Sequence, residues 1–406
     1  MLSNPRIFLS AGEASGDHYG AQLIAALREN LPPAEFFGLG GTKMESAGQR
    51  RIVRAEDVAH MGITEVIRHA PYIYAQYRRL VRAIEQERPS LAVLIDFPDV
   101  NLRLARELKK RNVPVVYLVS PQLWAWKRRR LRWVQQRVTK MLVIFPFEEE
   151  FYRERGVDAE FIGHPLAALP SPSVSRAAYA MHYQLDADKP WIALLPGSRW
   201  KEVTANLPTM VEMASRLPCP CEYILPVAST IDRARLTEFI KGWITFQPTV
   251  TAAPLPYIHL VDDAREALHH ARASVVASGT ATVQAALIGN PFVVVYRVSA
   301  LTFALAKRLV SYPPEIGATE DEHGNLPIAM VNLVAGRRIV PELLQENFNA
   351  DALAEALVPL LADSAARVRM MTDLAEVRGR LLPMGVDPIA RAAEIVRELL
   401  AESSAI

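Results

Sequence analysis

Cysteine is nearly absent from this 406-residue chain: only Cys219 and Cys221 occur, separated by Pro220 alone. Neighbours that close cannot staple a fold, and no further thiol offers a metal framework, so a reducing compartment is expected. No uninterrupted apolar run approaches the roughly 20 residues that span a bilayer. The opening MLSNPRIFLSAGEASGD has no basic stretch followed by a long apolar one, so no secretory signal is read there. A strong excess of either charge is lacking too. The formal net charge of +2 points by itself to no nucleic-acid partner, and the local distribution of charge has to be read instead. Internal repeats and low-complexity segments are also missing. These absences lead to the expectation of a cytoplasmic protein, with attachment to a membrane surface left open.

What is present is a full-sized core. Half the residues are hydrophobic and 22% are charged, the balance of a globular protein, and the length suits two domains of ordinary size. Short apolar runs alternate with helical patterns. Arg6–Ser10, Leu91–Ile95, Val113–Val119 and Met141–Phe145 read as strands, with helical periodicity at His18–Arg28 and Leu102–Lys110. Strand and helix in series imply right-handed crossovers and a parallel sheet covered on both faces. Near Gly163–Pro172 the pattern gives way to a linker bearing Pro and Ser. A second series follows at Trp191–Leu195, Glu222–Val227, Ala273–Ala277 and Phe292–Tyr296, and the chain from about Ala350 onward reads as helices. The expected architecture is α/β, two Rossmann-like doubly wound domains at 1–168 and 169–375, with 376–406 as C-terminal helices. Ligands of open α/β sheets sit beyond the carboxyl ends of the strands, so the site is expected in a cleft between the two halves.

Four strand-to-helix loops carry the candidate chemistry. In Gly12-Glu13-Ala14-Ser15-Gly16-Asp17, glycines permit a tight turn at a helix start, but the loop is not G-x-G-x-x-G and it carries two acids. Either Ser15 or Asp17 caps the helix, or the loop is a polar wall that touches sugar hydroxyls. In Ile95-Asp96-Phe97-Pro98-Asp99-Val100-Asn101, Asp99 or Asn101 suits a helix cap. Asp96 ends a strand that should be buried, where an acid needs a reason, and a carboxylate there suits a general base. Gly197-Ser198-Arg199, with Glu202 one turn on, places a guanidinium where it can meet diphosphate oxygens; the bland alternative is an exposed loop arginine. Ser278-Gly279-Thr280-Ala281 opens a further helix with residues small enough for a phosphate to approach the amides.

Two basic regions remain. Arg78, Arg79, Arg82 and Arg88 accompany Ile63, Val66, Ile67, Ile73, Tyr74, Tyr77, Leu80, Val81 and Ile84 at helical spacing interrupted by Pro71, a pattern that serves equally for a helix packed on a core or one lying on a membrane. Trp124-Ala125-Trp126-Lys127-Arg128-Arg129-Arg130 pairs indoles with cations, the better sign of an interface with anionic lipid. No nucleic-acid recognition motif accompanies the charge, so no nucleic-acid partner is expected.

Read in order, these segments resemble the lipid-A-disaccharide synthases. The resemblance is carried by SAGEASGD at Ser10–Asp17, GLGGTKM at Gly38–Met44, MGITEV at Met61–Val66 and IDFPDVN at Ile95–Asn101. It continues with YLVSPQLWAW at Tyr117–Trp126, FIGHP at Phe161–Pro165, LLPGSRWKEV at Leu194–Val203, SGTAT at Ser278–Thr282, the AKRLV ending of Leu301–Val310, and Asn332–Arg337. It implies a GT-B glycosyltransferase, its C-terminal helices crossing back to the first domain, that joins UDP-2,3-diacylglucosamine to 2,3-diacylglucosamine-1-phosphate (lipid X), releasing UDP, with no metal or other cofactor. It further implies a peripheral position on the cytoplasmic face of the inner membrane, and it leaves room for a homodimer. Asp96 is then the base and Glu13 and Arg199 its catalytic companions. Gly197, Ser198, Glu202, Ser278, Gly279, Thr280, Ala281, Gln284 and Asn332 hold the donor. Gly12, Ser15, Gly16, Asp17 and Asp99 line the acceptor side. Val66, Ile67, Ile73, Trp124, Trp126 and Arg128 face the membrane.

Two departures stand out. Many GT-B enzymes hold ribose with a Glu on the helix after the SGTA loop, where this chain has Gln284, and Ser311–Pro327 is longer than the family's usual link. The competing readings are another UDP-sugar GT-B enzyme of envelope synthesis and a non-catalytic nucleotide-sugar-binding homologue.

Overall fold

The computed structural model of the chain describes residues 4–31, 34–59, 70–246, 256–383, 385 and 387–405. The chain divides into two compact units, the first comprising Met1–Ala168, Ser311–Glu315 and Leu381–Ile406, the second Leu169–Val310 and Ile316–Arg380.

The first unit is built on β1 (Arg6–Ala11), β2 (Glu35–Gly40), β3 (Gln49–Arg54), β4 (Leu91–Ile95), β5 (Val115–Leu118), β6 (Lys140–Val143) and β7 (Ala159–Phe161). They form one seven-stranded sheet in the order β3-β2-β1-β4-β5-β6-β7, with parallel pairings. The second is built on β8 (Trp191–Leu195), β9 (Glu222–Pro226), β10 (Ile258–Val261), β11 (Ala273–Ala277), β12 (Phe292–Tyr296) and β13 (Glu342–Leu344), in the order β10-β9-β8-β11-β12-β13, also parallel. In each sheet the first strand of the unit lies beside the fourth. The chain therefore winds outward one way, returns, and winds outward the other way, leaving a switch point between β1 and β4 and another between β8 and β11.

Central strands are buried along their whole length because parallel sheets are covered on both faces. That is why LAVLI, WIALL and ASVVA read as unbroken apolar runs. The strands that the sequence pattern did not disclose lie mainly toward the edges. β3, QRRIVR, buries only Gln49 and Val53 and shows no clean alternation, and β7 and β13 have three residues each, too short for a periodicity. Phe8 and Phe37 meet edge to face at 5.5 Å across β1 and β2. Trp191 is sealed in the second unit by Arg176 stacked 3.7 Å from its ring and by an Nε1–H bond to Asp186 O at 2.7 Å. Burying each such ring contributes about 1.5–3 kcal/mol. The helix Pro388–Ala405 packs on Ala14–Asn30, held by Arg391 to Glu160 at 2.7 Å and by His164 N–H to Leu381 O at 2.7 Å.

Within β2, Gly38 has φ of +144°, and a Cβ there would run into the Leu9 carbonyl oxygen of β1. Gly38→Ala is expected to cost about 3 kcal/mol or more. Gly156→Ala, at φ of +70° with nothing near the added Cβ, should cost only about 1–2 kcal/mol. Denaturant titration of both variants checks the contrast, and equal small losses would mean that β2 can shift away from β1.

Candidate active site

At the first switch point Ala11 pairs with Ile95, so the segments that leave β1 and β4, Gly12-Glu13 and Asp96-Phe97, emerge side by side. Asp96 and Phe97 both take left-handed backbone, with φ of 46° and 47°, a strained choice for residues with side chains. Asn101, in the helix Pro98–Lys109, holds them there. Its Nδ2 donates to Asp96 O at 2.8 Å, Ile95 O at 3.1 Å and Ser10 O at 3.2 Å, while its Oδ1 accepts from Ser10 Oγ at 2.6 Å. Tyr117 OH adds a bond to Asp96 O at 2.6 Å. The Phe97 ring lies over Gly12, where any side chain would overlap it.

With its backbone fixed in this way, the Asp96 carboxyl is half-enclosed. Burial, chiefly, pushes its pKa up to about 6; the nearby Glu13 charge adds to the rise, and a bond from the Phe97 N–H opposes it. A carboxylate tuned toward neutrality is a competent general base near pH 7. Ser10, Asn101 and Tyr117 were not legible as site residues. The available signal was a serine and an asparagine at positions that an apolar core would otherwise fill.

The rest of the first loop behaves differently from expectation. Neither Ser15 nor Asp17 caps the helix Ala14–Asn30, whose N-cap Glu13 makes no side-chain cap bond. Asp17 instead closes the start of the next helix, accepting from the amides of Gly41, Lys43 and Met44 at 2.8, 3.0 and 3.1 Å. It is buried with its oxygens occupied, and this corrects its placement on the acceptor side. Gly16 lets the helix sit close to Ala11 and Ile95, and Ser15 is half-buried in its first turn. Asp99 is exposed and paired with Arg130 at 2.5 Å, and Asn101 is the clamp just described rather than a cap.

At the second switch point Leu195 pairs with Val276, which sets the loops Gly197–Arg199 and Ser278–Gly279 next to one another. Glu202 Oε2 accepts from the amides of Ser198 at 3.0 Å and Arg199 at 3.3 Å, and Asn206 Nδ2 donates to Pro196 O at 2.8 Å. Glu202 thus shapes the loop. The Arg199 side chain is 73% exposed and ion-paired with Glu202 Oε1 at 3.5 Å. The helix Thr280–Ile288 begins at Gly279, φ of +151°, with no side-chain cap. Four other helices of this unit start with capping Ser175, Asp263, Ser299 and Asn349, while Met330–Ala335 also starts without a side-chain cap. An uncapped start leaves amides and the positive end of the helix dipole open to an anion. Thr280 is exposed, Ala281 and Gln284 half-buried.

Asn332 is a correction. Its side chain is fully buried and spent on Val340 O, Glu342 and the amides of Ile339 and Val340, so it fastens the NLVAGR segment and has nothing left to offer a nucleotide. Trp124 is another. It is 1% exposed, its Nε1–H bonds to Glu148 Oε1 at 3.0 Å, and Phe147 and Tyr312 pack on its ring, so it cannot face lipid. Trp126 and Arg128 do stand exposed, with Lys127 stacked 4.0 Å from the Trp126 ring. In the helix Ala70–Glu87, Leu80, Val81 and Ile84 are buried, Ile73 is half-buried, and Tyr72 and Tyr74 are exposed. Val66 and Ile67 lie outside the described residues. No described helix is long and apolar enough to cross a membrane.

A family model described as lipid-A-disaccharide synthetase matches residues 7–381. The chain belongs to this family. It is 52% identical to the lipid-A-disaccharide synthase of Acidobacterium capsulatum over all of this chain and 99% of that one. With the synthase of Myxococcus xanthus the identity is 41%, over 98% and 99%. The chain is accordingly an enzyme, a glycosyltransferase of lipid A biosynthesis. Among solved structures it is similar to a calicheamicin glycosyltransferase (TM-score 0.55, 18% identity, 98% and 99% covered). It is also similar to the glycosyltransferase of kitacinnamycin (TM-score 0.61, 14% identity, 97% and 99%). At such identities the likeness speaks for the fold, two parallel α/β units of the GT-B class.

Asp96→Asn is expected to stabilise the folded protein above pH 6 by up to about 3 kcal/mol. A carboxyl whose folded pKa is raised from 3.8 to about 6 supports folding while protonated, and that support is lost as pH rises through 6. The variant's advantage should therefore shrink as pH falls from 6 toward 4. Melting curves at both ends of this range check it, and a constant difference would mean that Asp96 is not desolvated.

Proposed function

We propose that the enzyme condenses UDP-2,3-diacylglucosamine with 2,3-diacylglucosamine-1-phosphate to give the β-1,6-linked disaccharide 1-phosphate and UDP. The observation that carries this reading is the rigidly held Asp96, with a pKa near 6 at the first switch point, in a chain of this family. Asp96 takes the proton from the acceptor 6-hydroxyl as that oxygen bonds to the anomeric carbon of the donor. The bond from that carbon to the diphosphate breaks on the opposite face with its electron pair, inverting the centre. Charge grows on the departing UDP, where Arg199 and the open amides at Thr280 and Ala281 would stabilise it. With that charge met by the protein's own groups, the reaction in this reading requires no metal. Glu13 lies on the acceptor side and keeps the Asp96 proton affinity high. Gln284 contributes an uncharged bond to the donor.

Both substrates carry acyl chains, so the enzyme is proposed to work as a peripheral protein on the cytoplasmic face of the inner membrane. Exposed Trp126 beside Lys127, Arg128 and Arg129 supports attachment to anionic lipid.

The test is a radiolabel-transfer assay with both diacylated substrates and EDTA. Disaccharide is expected from the wild type, and Asp96→Asn should lower turnover about 100- to 10,000-fold while UDP affinity holds. Arg199→Ala should weaken UDP binding as well as rate. For the wild type, kcat/KM should fall about tenfold per pH unit below 6, because the base must be ionised. UDP binding without product would leave a non-catalytic homologue, and turnover of UDP-N-acetylglucosamine alone would leave a different envelope enzyme.

A further inference from the structure

The helix Ala300–Leu309 in the second unit buries none of its residues. Leu301, Leu305 and Leu309, each four apart, are 81%, 55% and 57% exposed. This spacing puts them in one line along the outer surface, while Phe303, Ala306 and Val310 are half-buried on the inner one. The helix is well formed: Ser299 Oγ accepts from the Thr302 amide at 3.2 Å and shares a bond with Thr302 Oγ1 at 2.7 Å. It contains no acid. Its last turn carries Lys307, whose Nζ donates to His323 O at 2.8 Å, and Arg308, which is exposed and has no ion pair among the described residues. Three exposed leucines in line call for a partner.

The chain beyond the helix indicates which. Ser311, two residues after Leu309, donates its N–H to Ala125 O at 3.1 Å, and its carbonyl accepts from Arg128 at 2.5 Å. The Tyr312 ring packs on Trp124 at 5.7 Å. The segment that follows the leucine helix in sequence thus binds the loop that presents Trp126, Lys127, Arg128 and Arg129. Apolar side chains in line, cations in the last turn and no acid match an anionic bilayer surface: leucine enters the headgroup layer and the cations meet lipid phosphates.

We propose that Ala300–Leu309 is a second membrane-contact element, laying Leu301, Leu305 and Leu309 into an anionic lipid surface. This rests on the peripheral membrane reading above and assigns it a part of the second unit that the sequence did not suggest.

The full-length protein is tested by flotation with phosphatidylcholine vesicles, with and without phosphatidylglycerol. Leu301→Ser/Leu305→Ser/Leu309→Ser should lower partitioning at least about tenfold, with an unchanged melting curve and unchanged kcat on detergent-dispersed substrates. A second arm labels Leu305→Cys, in a background with Cys219 and Cys221 replaced by Ser, with an environment-sensitive dye whose emission should shift blue on adding the anionic vesicles. If the triple variant partitions normally and the dye does not respond, while Trp126→Ala/Arg128→Glu releases the protein, the membrane reading survives and this inference is overturned. A blue shift that grows with protein concentration without lipid would assign the leucines to a second copy of the chain and overturn it as well. A wild type that binds neither kind of vesicle would overturn both.

Discussion

The first unit depends on one side chain that is not itself chemical, the carboxamide of Asn101. It is buried where three strand-end carbonyls converge, and it meets them with its Nδ2 while the Ser10 hydroxyl meets its Oδ1. A buried carboxamide costs stability unless both of its ends are paired, so the arrangement is self-selecting: only when β1 and β4 finish in register does each group find its partner. Once they do, Asp96 and Phe97 are left with left-handed backbone, and the Phe97 ring has nowhere to lie but over a residue without a side chain, Gly12. The carboxyl of Asp96 then has a fixed direction and little water. Its raised proton affinity follows from that position and needs no special neighbour beyond Glu13.

The second unit reaches a different end with the same topology. There Glu202 and Asn206 hold the strand-end loop in place, and the companion helix is left without a cap. The first switch point collects acid and restrains it; the second offers an exposed guanidinium and unpaired amides. In the proposed reaction, a hydroxyl that must lose a proton and a diphosphate that must leave with its charge would use those two opposite environments. Duplicated folding rules thus support divided chemistry, because the loops, not the sheets, carry the side chains.

How far the sequence discloses this follows from where each residue's partners lie. Asp96 was legible because an acid at the end of an apolar strand is anomalous by itself, and Arg199 because it follows Gly-Ser at a strand end. The central strands were legible because burial on both faces leaves no polar position to break the run. Asp17 misled because its three partners, Gly41, Lys43 and Met44, lie more than twenty residues further on, and local spacing made it an acid near a helix start like any other. Asn332 misled in the same way, being consumed by a turn that closes at Ile339 and Val340.

Trp124 and Trp126 show the same limit most sharply. They are the same residue type two positions apart, beside the same cations, and no pattern separates them. What separates them is Glu148, a fully buried carboxyl whose pKa burial raises to about 7 against the bonds it receives from Ser120, Trp124 and the Phe145 backbone. Retaining an acid there is costly, but it gives the Ser120–Trp124 turn a fixed point that draws one indole inward through its N–H. The next residues pass through Lys127, at φ of 53°, and present the other indole outward with its cations. The exposed cluster is therefore not a loose basic loop. It is a surface aimed by a buried acid, and Tyr312 packs on the same Trp124 ring.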